Sequence, residues 1–143
     1  ASVPPDKNIL LIHNTFVDEE VIDRIESHFE PGRVTWVLCP RSNDFIEGAH
    51  PPATLLHRKG VRIAIGTDSL ASNISMPGEM KLLPEISLHD RIRWATLTGA
   101  EALGIDSWAG SFTPGKRPGA ILLTGIDLRS MTLRTDAASR RIV

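Results

Sequence analysis

The stretch Val61-Arg62-Ile63-Ala64-Ile65-Gly66-Thr67-Asp68-Ser69 joins a short apolar run to a polar turn, and this junction decides the fold. A continuous apolar run of this length indicates a strand covered on both faces, as in a parallel sheet. Two similar runs precede it, Ile9 to Ile12 and Val34 to Cys39. Segments of helical spacing separate the runs, and parallel neighbours require such crossover connections. The sequence therefore predicts an α/β fold with three βα units.

The segments between and after these strands carry helix signals of unequal strength. Acidic residues at 18–20 load the first turn of a helix that Pro31-Gly32 ends, whereas 40–52 is rich in turn residues and predicts a loop. Three further helical segments are predicted at about Ala53 to Lys59, near Glu79 to Leu83, and from Ser87 onward, where Gly99 is expected to break the helix before a short one at Ala100 to Leu103.

The sequence pattern changes after Gly104, where glycine and proline residues separate short apolar runs. These runs, Ala120 to Leu123, Met131 to Leu133 and Arg141 to Val143, are typical of short strands, although the last is equally compatible with a frayed end. The predicted organisation is thus a partial (β/α) unit at residues 1–104 and a small β element at residues 105–143.

Composition limits the classes of protein that this chain can belong to. Its 143 residues suit one domain, and 41% hydrophobic with 23% charged residues excludes disorder for most of the length. A net charge of -1 argues against nucleic acid or an anionic membrane as a partner. The single cysteine, Cys39, excludes an internal disulfide and fits a cytoplasmic setting. The first residue, Ala1, is compatible with methionine removal or with a cut in a longer chain.

Polar residues follow all three predicted strands. They are His13 and Asn14, then Arg41, Ser42 and Asn43, and finally Asp68 and Ser69. The carboxyl ends of parallel strands lie on one rim, which is where α/β proteins bind ligands. An aspartate at a strand end also caps helices, and a lone histidine is often structural, so both interpretations stay open. Arg41 is compatible with an acidic substrate group or with a structural ion pair.

Other reactive residue types give weaker signals. Cys39 is either a thiolate nucleophile or a small buried residue, and its setting favours burial. The remaining histidines, His28, His50, His57 and His89, favour structural or surface roles, with His50 the one that a loop brings nearest to the rim. HxH, HExxH and CxxC spacings, a Walker loop and GxGxxG are all absent from the sequence.

Three strand ends and three downstream segments together resemble the amidohydrolase superfamily, in its chlorohydrolase branch related to cytosine, guanine and adenosylhomocysteine deaminases. The residues that carry the resemblance are His13-Asn14-Thr15, Cys39-Pro40-Arg41-Ser42-Asn43, Gly66 to Asn73, Trp94 to Gly104, Gly110-Ser111-Phe112 and Pro114-Gly115-Lys116. The resemblance covers about Ile9 to Leu123. This part of the chain is similar to the C-terminal part of the proteins of that family.

The resemblance implies a (β/α)8 barrel in which zinc, or alternatively iron or manganese, activates water against a carbon that bears nitrogen or halogen. Asp68 matches the eighth-strand aspartate, a metal ligand that also manages a proton of the water. His13 matches the sixth-strand histidine, which contacts substrate or water in some members and metal in others. Asn43 and Ser69 match positions that line or brace the pocket, and Arg41 is a candidate for substrate binding.

A barrel of this kind needs roughly 250 residues, so the chain supplies only strands six to eight and a small β element. The first-strand HxH, the fifth-strand histidine and the glutamate acid/base have no counterpart here. We therefore expect that the chain alone is inactive and binds metal weakly. Unless its N-terminal half is present, we expect it to self-associate through its exposed strand edges. Alternatives are a stand-alone, non-catalytic α/β module that binds a ligand or partner, and one half of a split enzyme.

Overall fold

The computed structural model describes residues 3–72 and 74–143 and contains the predicted parallel sheet. Its strands are β1 (Ile9–Ile12), β2 (Val34–Leu38) and β3 (Ile63–Ile65), in the order β1-β2-β3. Ile9 pairs with Val34 and Trp36 pairs with Ile63, so β2 has a parallel neighbour on both sides. The mixed α/β class and all three strand positions are confirmed, with β3 starting two residues later than predicted.

In the part of the chain that the structure describes, six helices follow or connect these strands. They are α1 (Glu19–His28), α2 (Pro40–Glu47), α3 (Ala53–Arg58), α4 (Met76–Lys81), α5 (Leu88–Ala95) and α6 (Leu97–Ala102), with a 3₁₀ turn at Leu70–Ser72. Three of them begin at a side chain that accepts a backbone N–H of the first turn: Asp18, Ser75 and Ser87. Such caps satisfy donors that have no partner within the helix.

Two sequence predictions about the helices are wrong. The segment predicted as a loop from Pro40 to Pro52 opens with α2, because a proline is well tolerated in the first turn of a helix, and Gly48 ends it at φ 63°. The break expected at Gly99 lies instead at Thr96, and Gly99 is inside α6. The hydroxyl of Thr96 bonds the carbonyl of Ile92 at 2.7 Å, which competes with continuation of the helix.

One face of the sheet packs against the helices and forms the core. Trp36 is fully buried at its centre, and its indole Nε1 donates to Glu26 Oε1 at 2.7 Å. The other buried core residues come from the strands and from the segments packed on them, among them Ile22, Leu38, Leu56, Ile63, Leu83 and Trp94. Burial of this face fixes the register, because a slip of one residue would turn it toward solvent.

The opposite face of the sheet is less covered. Leu10 and Ile12 of β1 are 40% and 51% exposed, and their pairing partners Thr35 and Val37 lie on the same face. The expectation that Ile9 to Ile12 is covered on both faces is therefore wrong for the part of the chain that the structure describes. β1 alternates between partly buried and exposed residues because it is an edge strand, whereas Thr35 of β2 and Ala64 of β3 are buried on the same face.

A hairpin of β4 (Ile121–Asp127) and β5 (Thr132–Arg141) follows the helices. Its strands are antiparallel, with an irregularity at Gly125, where a side chain would collide with the backbone of Ala137. Lys81 of α4 donates to the carbonyl of Thr135 at 2.9 Å. Two of the predicted short strands are thus present and longer than expected. The division at residue 104 remains a prediction. Among the described helices, none has the length and apolarity to cross a membrane.

We expect the isolated 143-residue chain to self-associate, because β1 combines an unpaired edge with exposed Leu10 and Ile12. Light scattering across a concentration series measures this. The double change Leu10→Ser and Ile12→Ser should shift the chain toward monomer. The control Ile46→Ser, at an exposed apolar residue of α2, should not. A wild-type chain that stays monomeric at high concentration would contradict the prediction.

Candidate functional site

The backbone turns sharply where β1 and β3 end. His13 and Asn14 have φ values of 71° and 52°, and Asp68 has 53°. A left-handed backbone costs a residue that is not glycine about 1–2 kcal/mol, so the surrounding structure must hold these residues in place. The backbone N–H of His13 donates to Val37 O at 3.0 Å, which ties the end of β1 to β2. Both turns lie at the carboxyl ends of their strands.

His13 and Asp68 meet across the end of β2. Their atoms Nε2 and Oδ2 are 3.9 Å apart, and each side chain is 32% exposed. β1 and β3 are separated by the intervening strand, which corresponds to about 9–10 Å between strand axes. The two side chains therefore lean toward each other above the sheet, and they remain open to solvent.

The first turn of α2 lies between these two residues and contacts both. Ser42 Oγ donates to Asp68 Oδ2 at 2.5 Å. Asn43 Oδ1 lies 3.3 Å from His13 Nδ1. Ser42 and Asn43 are both buried, whereas His13 and Asp68 are partly exposed, so both contacts are partly buried. The structure thus brings together His13, Asn43 and Asp68 and adds Ser42 to them.

The contacts of Asn43 determine which ring nitrogen of His13 carries the proton. Asn43 Nδ2 donates to Thr15 Oγ1 and, at 3.2 Å, to Glu47 Oε2. A carboxylate only accepts, so the amide nitrogen must face Glu47 and the amide oxygen must face His13. Nδ1 of His13 is then the donor, and in the neutral ring Nε2 keeps its lone pair toward Asp68.

This arrangement matches part of a divalent metal site. An imidazole lone pair and a carboxylate oxygen face each other, and a second partner orients each group, as is usual for metal ligands. Zinc in catalytic sites takes about three protein ligands and keeps one open position. Within residues 3–72 and 74–143, no cluster of three or more His, Cys, Asp or Glu side chains has metal-binding geometry. Asp68 and His13 therefore fit as a pair that further ligands would complete.

Arg41 and Ser69 lie beside the pair. The backbone N–H of Arg41 donates to Glu79 Oε2 at 2.9 Å, and its guanidinium lies directly against Gly78 of α4. Arg41 also lines an open groove of about 580 Å³ with Phe45, Lys81 and neighbouring residues. Ser69 directly follows Asp68 and is partly buried. Asn73, the last residue of the motif that begins at Gly66, lies outside the described residues.

The other histidines have local partners elsewhere in the fold. His50 contacts Asp44 Oδ1 at 2.9 Å and Leu82 O at 2.5 Å, which ties the end of α2 to α4. His57 and His89 each approach Asp90 to 3.6 Å, and His28 contacts the carbonyl of Val3 at 2.9 Å. These contacts are with surface carboxylates or backbone carbonyls and lie apart from His13 and Asp68.

Sequence reasoning did not assign functional weight to three residues that support the site. Ser42 stands in the quoted motif after β2, so its position was available, but its bond to Asp68 was not. Thr15 and Glu79 approach α2 from other elements, Thr15 from the turn after β1 and Glu79 from α4. Neither has a spacing in the sequence that predicts such a contact. Only the packing of α2 shows it.

The sequence profile of the amidohydrolase family matches residues 3–140, and the chain belongs to this family. It is 34% identical over 105 residues to a 5-methylthioadenosine/S-adenosylhomocysteine deaminase of Teredinibacter turnerae, covering 64% of this chain and 24% of that protein. It is 42% identical over 98 residues to a 5'-deoxyadenosine deaminase of Methanothermobacter thermautotrophicus, covering 59% and 22%. The chain thus spans about a quarter of the length of these relatives.

Solved structures give the same result. An adenosine deaminase of Xanthomonas campestris with bound zinc superposes with a TM-score of 0.72 at 29% identity, covering 83% of this chain and 29% of the other. Guanine deaminase of Escherichia coli gives a TM-score of 0.67 at 25% identity, covering 82% and 28%. The resemblance seen in the sequence is confirmed at the level of the family and of the mixed α/β fold.

Cys39 tests the alternative that the site contains a thiol nucleophile. Burial raises the pKa of the Cys39 thiol to about 11, and the negative charges of Asp68 and Glu79 add to the effect. We therefore expect the folded protein to react with a thiol-specific chromogenic disulfide at pH 8 at least ~100-fold more slowly than the unfolded protein does. Rapid reaction of Cys39 in the folded state would contradict this and would support the alternative that Cys39 is a nucleophile.

Proposed function

We propose that this chain is the C-terminal part of a metal-dependent amidohydrolase barrel, with β1, β2 and β3 as its sixth, seventh and eighth strands. The intact protein hydrolyses carbon–nitrogen bonds, with carbon–halogen bonds as the alternative within the same branch. The observation that carries the proposal is the pairing of His13 Nε2 with Asp68 Oδ2, 3.9 Å apart, at the carboxyl ends of the outer two strands. This rim is where barrels of this type place their catalytic groups.

The partly exposed face of the sheet supports the barrel. Leu10 and Ile12 are exposed on this face, whereas Thr35 and Ala64 of the neighbouring strands are buried on it. In a closed barrel this face is filled by side chains from the remaining strands, and both edges of the sheet are paired. Residues 105–143, with the β4–β5 hairpin, would then belong to a small β domain that strands from elsewhere in the protein complete.

The proposed chemistry assigns a separate task to each residue. A divalent ion, zinc in the first place, would supply a nucleophilic water at neutral pH by lowering the pKa of that water. Asp68 would hold the ion and would take up a proton of the water at its carboxylate. His13 would present Nε2 to the ion or to the water, and Asn43 orients the ring through its contact with Nδ1. Ser42 fixes the orientation of Asp68 through its 2.5 Å hydrogen bond.

The remaining assignments concern substrate and partners. Relatives are named as deaminases of adenosine derivatives and guanine, so we propose a small aminated heterocycle as the substrate. Ser69 and Asn43 would line or brace its pocket, and Arg41 would meet an acidic group through the groove beside α4. The principal partner is the N-terminal part of the barrel, and self-association is expected for the protein. A free Cys39 fits a reducing, cytoplasmic setting.

The coding region around residues 1–143 tests the proposal first, and an activity assay follows. We expect about 250 or more residues upstream of Ala1, which complete a barrel and its β domain. The protein so encoded should release ammonia from at least one of adenosine, 5'-deoxyadenosine, 5-methylthioadenosine, S-adenosylhomocysteine and guanine. Asp68→Asn should lower kcat by ~100-fold or more, because it removes the proton acceptor.

The matched control is Asp106→Asn, at an exposed aspartate in the turn after α6, which should keep full activity. A coding region limited to this chain, together with no ammonia release from any of the five compounds, would sink the proposal. That result would favour the non-catalytic binding module.

The isolated 143-residue chain should bind zinc weakly, because Asp68 and His13 supply two ligands where tight sites have three or four. Isothermal calorimetry at neutral pH should give a dissociation constant no tighter than about 10 μM. Asp68→Asn should weaken it further, and Asp106→Asn should leave it unchanged. A stoichiometric submicromolar site that depends on Asp68 would mean that further ligands lie within this chain.

A further inference from the structure

The N-terminus of α2 lacks a cap from its own sequence. Its cap residue, Cys39, makes no side-chain hydrogen bond to the first turn, and that turn contains no acidic residue. Pro40 has no N–H, so the donors that need partners begin at Arg41. Arg41 N donates at 2.9 Å to Oε2 of Glu79, which lies in α4, 38 residues further along the chain. The cap is therefore supplied by tertiary packing.

Glu79 is held firmly in its position. Its side chain is fully buried, and the helix that carries it is fixed at the next residue, where the buried guanidinium of Arg91 donates to Met80 O at 2.7 Å. Gly78 leaves room for Arg41: a side chain there would collide with its guanidinium. The positive charge of Arg41 thus lies near the carboxylate and partly offsets its burial. The carboxylate is a fixed point against which α2 is docked.

Stability of the fold does not by itself explain the buried carboxylate of Glu79. Glu79 Oε1 is buried without a hydrogen-bond partner among the described residues, and burial raises the pKa of this carboxyl group above its ordinary value. Asp44 and Asp68 add further negative charge nearby. A buried acceptor without a partner is destabilising, whereas a serine or aspartate at position 39 would cap the helix more simply. The contact is therefore better explained by what it positions.

Glu79 caps α2 at the residue that immediately precedes Ser42 and Asn43. Those two side chains hold Asp68 at 2.5 Å and His13 at 3.3 Å. We propose that Glu79 is a positioning residue of the candidate site, which sets the first turn of α2 at the depth where Ser42 meets Asp68 and Asn43 meets His13. This inference rests on the proposed function for its catalytic consequence, while its structural part stands on α2 alone.

Two conservative substitutions separate a positioning role from a purely electrostatic one. Glu79→Gln keeps an acceptor oxygen at the same reach and loses the charge. Glu79→Asp keeps the charge but is one methylene too short to reach Arg41 N. If the hydrogen bond positions α2, Glu79→Gln should resemble the wild type and Glu79→Asp should not. If the charge or general packing matters, the order should be reversed or both variants should be alike.

The first measurement is hydrogen exchange, followed by mass spectrometry, in the protein at its full encoded length. In Glu79→Asp, exchange of residues 39–47 should rise about ten-fold while β2 and β3 keep their protection. Glu79→Gln should stay within about two-fold of the wild type, as should the control Glu20→Gln on the exposed side of α1. Unchanged exchange of residues 39–47 in Glu79→Asp, or a rise spread evenly over the strands, would overturn the proposal.

The second measurement is steady-state kinetics on the substrate found above. Glu79→Asp should lower kcat about ten-fold with KM changed less than about three-fold, because displaced groups affect the reacting geometry more than binding. Ser42→Ala should cause a comparable loss, and the double variant should lose less than the product of the two single losses, since Glu79 acts on Asp68 through Ser42. Additive losses, or a loss confined to KM, would overturn the proposal.

The two measurements keep the two hypotheses apart. Absence of deaminase activity with selective exchange at residues 39–47 would refute the proposed function and leave the docking of α2 by Glu79 intact. Full activity in Glu79→Asp with unchanged exchange would refute the positioning role and leave the proposed function intact.

Discussion

The first turn of α2 is anchored on two sides, through Ser42 to Asp68 and through Asn43 to His13. β1 and β3 do not touch each other, so the relative placement of their end residues depends on this turn. Ser42 and Asn43 are buried, so competing water is kept from the α2 side of both contacts. The imidazole of His13 and the carboxylate of Asp68 remain exposed to solvent on their other side. The site is therefore a rigid support with one accessible surface.

The strand ends and the helix are matched by backbone geometry. A left-handed residue at His13, directly after β1, and another at Asp68, three residues after β3, redirect the chain, and the two side chains approach each other. The core beneath, centred on Trp36, fixes the register of the strands and hence the height of both turns. Strain at the rim is tolerated because the sheet below is well packed. In α/β enzymes generally, rigid, well-packed strands support mobile or strained residues at their ends.

The two faces of the sheet differ because they meet different surroundings. Trp36, Leu38 and Ile63 are buried under helices, while Leu10 and Ile12 remain open. A strand pattern made of continuous apolar residues is appropriate to burial on both faces, as in a barrel. The apolar sequence of β1 thus predicts a cover for both faces of the strand, and residues 3–72 and 74–143 leave Leu10 and Ile12 exposed. Membership of the amidohydrolase family, with coverage of about a quarter of its relatives, agrees with that conclusion.

Local sequence patterns were sufficient for the strands, for most helices and for the rim residues His13, Asn43 and Asp68. Apolar runs, caps and turn residues act over a few positions, so a single sequence contains them. The helix at Pro40–Glu47 was missed because its cap comes from Glu79, 38 residues away. The protonated nitrogen of His13 was equally hidden, since it follows from the contacts of Asn43 with Glu47 and Thr15. Contacts between distant elements depend on packing, and only the tertiary structure decided them.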